Sequence, residues 1–433
     1  MKYPIEDAEK WLKKAIGLQK QGRLKEAEIL LEKNIKTHGA HPDISYSLAS
    51  VLIQTGQIKK AFEIIAKALE SHPEHVGCLF LMGRILHQAG RLEDASNCYK
   101  KVLGIQKDNP LALNALGLIF KEQGMVREAL RFIEKAKNVE PRAQYIWNNY
   151  GVILELNRRE KEAQKAFEKA LALDPAYFPA RFNLGCLLFK LEDFKNAQKH
   201  LALVLKQQPD EPVAKFLMEC LSKQSRVNRA PVDYVKKTFD DWANFFEEKL
   251  IKDLEYKTPY LVFSLVQNEL KKDINILDLG CGTGLGAELY RPYAKRLYGI
   301  DCSEKMLKKA EEKGIFDRLI LNDILDDFRL DTSFHLIYST DCLCYFGDLK
   351  PVFAKIRSWL AANGVFAFSL EELKKPGEQY LLQLSGRFAH SQDYVIRCLS
   401  DLGFKLLDLK KEILRKEKGR AVHGLLVKAR KIA

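Results

Sequence analysis

Asp278 stands two residues before Gly280, and the chain then breaks into Gly-x-Gly-x-Gly: Gly280, Gly282 and Gly284, with Cys281 and Thr283 between them. The run before it, "INILDL", reads as a buried strand, so the glycines fall where a strand ends and a helix begins. Glycine lets a backbone approach a ligand closely, which makes this loop a candidate cradle. Further carboxylates recur at the ends of later apolar runs. Asp301 closes "RLYGID" and is followed by Cys302; Asn322 and Asp323 close "RLILND"; Asp341 closes "FHLIYSTD", with Tyr345 just beyond. His390 stands apart, in "RFAHS".

The spacing decides between ligands. A dinucleotide loop needs glycine at the position held here by Leu285, and no G-x-x-x-x-G-K-[ST] phosphate loop occurs. A carboxylate at Asp278 repels a pyrophosphate and favours a ligand bearing an ammonium or sulfonium. S-adenosylmethionine carries positive charge and no phosphate. Asp301 suits both ribose hydroxyls of such a ligand, by the geometry of doubly wound sheets. Met306, one turn into the next helix, suits the adenine face, and Asn322 with Asp323 suits its amino group.

The elements that would position these residues alternate as in a parallel α/β sheet. Strands are expected at 274–279, 296–301, 318–323, 334–341 and 364–371, with helices at 303–314 and 350–364 between them. The tail reads as a helix at 391–403 and two strands, one of which closes the sheet antiparallel. Cys342 and Cys344 are expected on one face of the fourth strand; no second pair at ligand spacing accompanies them, which argues against zinc.

The first half is periodic. Ala27, Ala61, Ala95, Ala129, Ala163 and Ala197 recur every 34 residues. Gly83, Gly117, Gly151 and Gly185 keep a constant offset, with Ala15 and Ala49 in the earlier units; Pro73, Pro141, Pro175 and Pro209 follow at another. Small residues at two fixed places let helices cross closely, large ones such as Tyr99 and Phe167 fill the gap, and proline stops the second helix. The pattern resembles the tetratricopeptide repeat: six units over about 8–211, capped by a helix at 211–225. Asn149 and Asn183 share a phase and are expected to offer amides to a bound peptide, since an amide both donates and accepts. A solvated polar position is the competing reading.

The second half, from 233 on, resembles the class I S-adenosylmethionine-dependent methyltransferases in "LDLGCGTG", "GIDCSEKML", "LND" and "YSTDCLCYFGDL". With the repeats and "YVKKTFDDWANFFEEKL", the whole resembles bacterial repeat-containing methyltransferases. The resemblance implies a tetratricopeptide solenoid (1–225) followed by a Rossmann-like doubly wound α/β domain (226–433) with a helical lead-in (233–271). It implies that Asp278 and the Gly280–Gly284 loop hold the methionine part, that Asp301 holds the ribose, and that Asp323 with the backbone at Ile324 reads adenine. It expects a histidine in the lead-in where Lys249 stands.

Methyl transfer from a sulfonium needs alignment and exclusion of water, and a base only if the nucleophile must lose a proton. Asp341, Tyr345 and His390 are the candidates. A protein or peptide acceptor recruited by the repeats is expected; a small-molecule acceptor, or a cofactor-binding scaffold without turnover, are the alternatives. The net charge of +13 is diffuse rather than a stripe, and motifs of DNA-base methylation are absent, so nucleic acid is not expected. No apolar run reaches membrane-spanning length. The nine scattered cysteines fit reduced thiols and a cytoplasmic protein. Nothing in the sequence fixes an oligomeric state.

Overall fold

The computed structural model describes residues 5–39, 41–222, 227–243, 247, 256–417 and 419–432. Lys249, the departure noted in the lead-in, lies outside the described residues. The chain forms two compact units, Met1–Leu187 and Leu188–Ala433.

The first unit is built from antiparallel helix pairs. They run α1 (Ile5–Lys20), α2 (Leu24–His38), α3 (Pro42–Gln54), α4 (Ile58–Ser71), α5 (Val76–Gln88) and α6 (Leu92–Ile105). Then follow α7 (Pro110–Glu122), α8 (Val126–Val139), α9 (Gln144–Leu156), α10 (Glu160–Leu173) and α11 (Phe178–Lys190). The turn between the two helices of a pair needs a left-handed residue. Gly22, Gly56, Gly90 and Gly124 supply it with φ of 73–78°, and in the last two repeats Arg158 and Glu192 adopt it at 58° and 64°. The recurring small residues are crossing points. A Cβ on Gly83 would lie 2.7 Å from the Tyr99 ring, and one on Gly151 would lie 2.6 Å from the Phe167 ring.

In the second unit α12 (Phe194–Gln207) and α13 (Pro212–Ser222) precede α14 (Val232–Trp242). The unit boundary therefore falls earlier than the loss of repeat phase. The reason is packing: the Phe216 ring of α13 lies 4.9 Å from the Tyr234 ring of α14.

After α15 (Thr258–Val266) comes a nine-stranded sheet. β1 (Ile274–Leu279) lies between β2 (Ala294–Asp301) and β4 (Phe334–Ser339), with β3 (Arg318–Leu321) outside β2 and β5 (Leu360–Glu372) outside β4, all parallel. The helices between them are α16 (Ala287–Tyr290), α17 (Glu304–Glu312) and α18 (Lys350–Trp359). β6 (Tyr380–Leu382) and β7 (Phe388–His390) hang on the end of β5, followed by α19 (Gln392–Asp401). β9 (Arg420–Lys431) pairs antiparallel with β5, and β8 (Phe404–Glu417) pairs with β9. The direction of winding reverses between β1 and β4, and in such sheets ligands bind beyond the strand ends at that point.

Two expectations need correction. The fourth strand stops at Ser339 because Asp341 takes a φ of 52°, so Cys342 and Cys344 sit in a turn and a single 3-10 turn, Leu343–Tyr345, rather than on a strand face. The helix expected over 350–364 ends at Trp359. Leu360 already pairs with Phe334, and Asn363 at φ 59° bends β5 into register with Leu336 at Val365.

Candidate active site

A cavity opens at the carboxyl ends of β1, β2, β3 and β4, entirely within the second unit. Gly280 and Gly282 form its floor. Gly280 has φ 73° and its missing Cβ would lie 2.5 Å from Cys342 Cβ, so the loop passes against that turn with no room for a side chain.

Asp301 ends β2 at the rim. Its carboxylate accepts from the Gly282 amide at 2.9 Å and the Ser303 amide at 2.8 Å. Burial nevertheless pushes it up to about 6, those amides opposing. Asp278 lies deeper, 3% exposed, and accepts from the Tyr338 hydroxyl at 2.7 Å. Burial lifts it to about 7.

At the far end, past β3, Asn322, Asp323 and Ile324 line the same space, with Cys302 beside Asp301. Asn322 Oδ1 accepts from the Asp323 amide at 3.0 Å. Thus Gly280, Gly282, Asp301, Cys302, Asn322, Asp323 and Ile324 come together as expected.

Five expected residues take other positions. Asp278 sits behind the loop rather than on the cavity wall. Cys281 turns into the sheet, where its sulfur would be 2.8 Å from a Cβ on Gly299. Thr283 donates to Glu247 at 2.6 Å. Gly284 abuts the Phe316 ring. Met306 is corrected outright: it is wholly buried in the first turn of α17 and does not line the cavity. The Ser303 hydroxyl caps that turn at the Met306 amide, aiming the side chain into the core.

The opposite wall is polar. Asp341, Tyr345, Arg387 and Arg415 line it with Tyr256. Arg415 is 2% exposed and donates to Asp341 at 3.1 Å, to Glu417 at 2.8 Å and to Glu371. Arg387 pairs with Glu371 at 3.6 Å and with Glu417. A buried pair is tolerated when each charge is met in this way. Tyr345 remains protonated, since burial pushes its phenol up to about 12.

His390 is a correction. It is 0% exposed and lies off the cavity. Its Nε2 donates to the carbonyls of Phe346 at 2.8 Å and Gly347 at 3.2 Å, and Nδ1 has no partner among the described residues. Burial lowers it to about 4, so it stays neutral and holds the 346–347 turn.

Sequence reasoning missed the residues that reach the site from far away. Arg229 forks onto Asp323 at 2.6 and 3.3 Å across 94 residues. Asp240 accepts from Ser303 at 2.6 Å. Arg415 comes from β8. No local motif marks any of them.

The donor set fits S-adenosylmethionine. Two carboxylates raised by burial flank the glycine loop: a cation would relieve Asp278 behind it, and hydroxyl donors would suit Asp301 at the rim. The arginines on the walls are each tied to carboxylates, which leaves no free guanidinium for a pyrophosphate among the described residues.

In the first unit the asparagine amides of neighbouring repeats bond to each other. Asn149 donates to Asn114 at 2.9 Å, and Asn183 donates to Asn148 at 2.9 Å. Each joins the first helices of adjacent repeats while remaining half-buried, and among the described residues its second N–H has no partner.

The profile of the methyltransferase domain family matches residues 277–368. Tetratricopeptide repeat profiles match 83–124, 114–178 and 157–219, and one for subunit 3 of the anaphase-promoting complex matches 20–102. A malonyl-(acyl-carrier protein) O-methyltransferase of Hamiltonella defensa is 35% identical over 25% of this chain and 42% of its own length. A second enzyme of that description, from Coxiella burnetii, is 32% identical over 41% of this chain and 68% of its own. The chain spans less than half the length of the first of these. Among solved structures, an S-adenosylmethionine-dependent methyltransferase from Clostridium acetobutylicum is 20% identical over 45% of this chain and all of its own, at a TM-score of 0.35.

Proposed function

The chain belongs to the class I S-adenosylmethionine-dependent methyltransferases and carries tetratricopeptide repeats ahead of that domain; from this we propose that it methylates an acceptor presented to Asp341 and recruited, as a protein or peptide, by the repeats. The functional division then runs near residue 225, after α13. When bound, the cofactor supplies a methyl group on a sulfonium, a neutral and therefore good leaving group. Gly280 and Gly282 would hold its methionine part with the Asp278 carboxylate behind them, Asp301 its ribose, and Asp323 with Ile324 its adenine.

The observation that carries the reading of the acceptor end is Asp341. It is a non-glycine residue at φ 52°, a conformation that costs energy and persists where surroundings enforce it. Arg415 and the Ser369 hydroxyl enforce it: the Asp341 amide donates to Ser369 Oγ at 3.0 Å, while among the described residues only Oδ2 of the carboxylate is engaged. The other oxygen is available to accept a hydrogen from the acceptor. That favours a nucleophile carrying one, an amine or a hydroxyl, which Asp341 would orient and relieve of its proton as the methyl is transferred. Tyr345 and Tyr256 exclude water around it.

The repeats support recruitment by their kind, since such stacks present extended concave surfaces. Asn149 and Asn183 are the groove residues we would test. Labelled S-adenosylmethionine is incubated with lysate and each variant. Label on a protein band, lost in Asn149→Ala with Asn183→Ala and lowered at least tenfold in Asp341→Asn, is the expected result. Label confined to small molecules, unaffected by the groove substitutions, overturns the protein-acceptor reading. An unchanged rate in Asp341→Asn overturns the role of Asp341.

A further inference from the structure

We infer that Arg229 is a cofactor-positioning residue: it sets the Asp323 carboxylate for the exocyclic amino group of adenine and walls that end of the cavity. The inference rests on the cofactor reading above. Arg229 belongs to neither the glycine loop nor a strand end. It lies on the short segment ahead of α14, and it lines the cavity beside Asn322, Asp323 and Ile324.

Its backbone is fixed. Arg229 forms a β-bridge with Phe346, the Ala230 amide donates to the Tyr345 carbonyl at 2.8 Å, and the Asn228 carbonyl accepts from Gly347 at 2.7 Å and Asp348 at 3.0 Å. The Asn228 side chain accepts from the Tyr380 hydroxyl at 2.8 Å. His390 grips the 346–347 turn from beneath. The guanidinium therefore starts from a defined point and lies 5.4 Å from the Phe346 ring, a cation–π distance.

The fork then fixes the carboxylate. Asp323 Oδ1 accepts from the Leu325 amide at 2.8 Å and from Arg229 Nη1 at 3.3 Å; Oδ2 accepts from Nη2 at 2.6 Å. A carboxylate oxygen offers two lone-pair directions. Oδ1 uses both of its own, and Oδ2 uses one. One acceptor direction remains, and the planar guanidinium dictates where it points. Without Arg229 the carboxylate, 11% exposed in its side chain, rotates about a single remaining contact. Lysine cannot replace the fork, because a point charge does not set a plane.

The test is binding, not turnover. S-adenosylhomocysteine and its purine riboside counterpart, in which hydrogen replaces the 6-amino group, are titrated calorimetrically into the full chain. Wild type is expected to prefer the amino compound at least tenfold. In Arg229→Ala the preference should shrink below about threefold, with affinity for S-adenosylhomocysteine falling five- to tenfold; Arg229→Lys should recover affinity but not the preference. Asp323→Ala should abolish the preference, and adding Arg229→Ala to it should change nothing further. A purely structural loss would weaken both ligands alike, and that result, or an unchanged preference in Arg229→Ala, overturns the inference. Absence of binding by wild type would overturn the cofactor reading itself.

Discussion

Asp278→Asn gives the sharpest view of what the cavity is built to receive. Its carboxyl is 3% exposed, meets only the Tyr338 hydroxyl among the described residues, and is lifted by burial from 3.8 to about 7. Ionising it in the folded state therefore costs roughly 4 kcal/mol, at 1.36 kcal/mol per pH unit. Because the folded pKa is the higher one, this contribution to stability is complete below about pH 4 and is lost as pH rises to 7. Between pH 5 and pH 8 the loss comes to about 3 kcal/mol. Asparagine keeps the shape and still accepts from Tyr338, yet has no proton to lose. Urea unfolding of wild type and variant at half-unit steps should show their difference moving by about 3 kcal/mol across that range, with the variant gaining as pH rises; everything common to the two chains cancels. Saturating S-adenosylhomocysteine should flatten the wild-type slope, because its ammonium favours the ionised form. The same pH slope in the Asn variant as in wild type would refute the reasoning.

Other substitutions probe single contacts. Gly280→Ala should lower S-adenosylhomocysteine affinity at least tenfold by calorimetry, and Cys342→Ala should not rescue it, because the clash at 2.5 Å is with Cβ. His390→Ala should cost about 1–3 kcal/mol in urea, since two buried carbonyls lose their donor. His390→Gln, which can still donate, should keep turnover within threefold of wild type; a loss of a hundredfold would restore the histidine as a base. Gly151→Ala should destabilise by about 1–3 kcal/mol through overpacking on Phe167, and Phe167→Leu should relieve part of that in the same melt.

The array and the central strands were legible because each rests on a repeated local rule. A 34-residue recurrence of small residues survives any detail of packing, and a strand that ends in Asp278 and three glycines announces its turn. Much of the cavity wall followed, since its residues sit at successive strand ends. What failed was set by distant contacts. Three-residue strands such as β6 and β7 carry no period. Met306 looked available because one helical turn past Asp301 does not say which face meets the core. His390 looked chemical because sequence does not reveal that its ring is spent on two carbonyls. Arg229 and Arg415 had no motif, being supplied by a linker and by β8 to loops some 70 to 90 residues away.

The position of β8 sets the order in which a newly made chain acquires its parts. β8 is bonded to the sheet through β9, and of these two strands it is β9 that pairs with β5. The ends of β1, β2 and β3 have been synthesised by Ile324 and that of β4 by Ser339, but Arg415 has no sheet partner until Arg420–Lys431 has been synthesised. At about 5–20 residues per second the gap from Ile324 to Lys431 lasts several seconds at least. During that interval the guanidinium that pairs with Asp341 is either unmade or without its sheet partner. The guanidinium that holds Asp341 is thus among the last parts of the cavity wall to be synthesised and paired into the sheet.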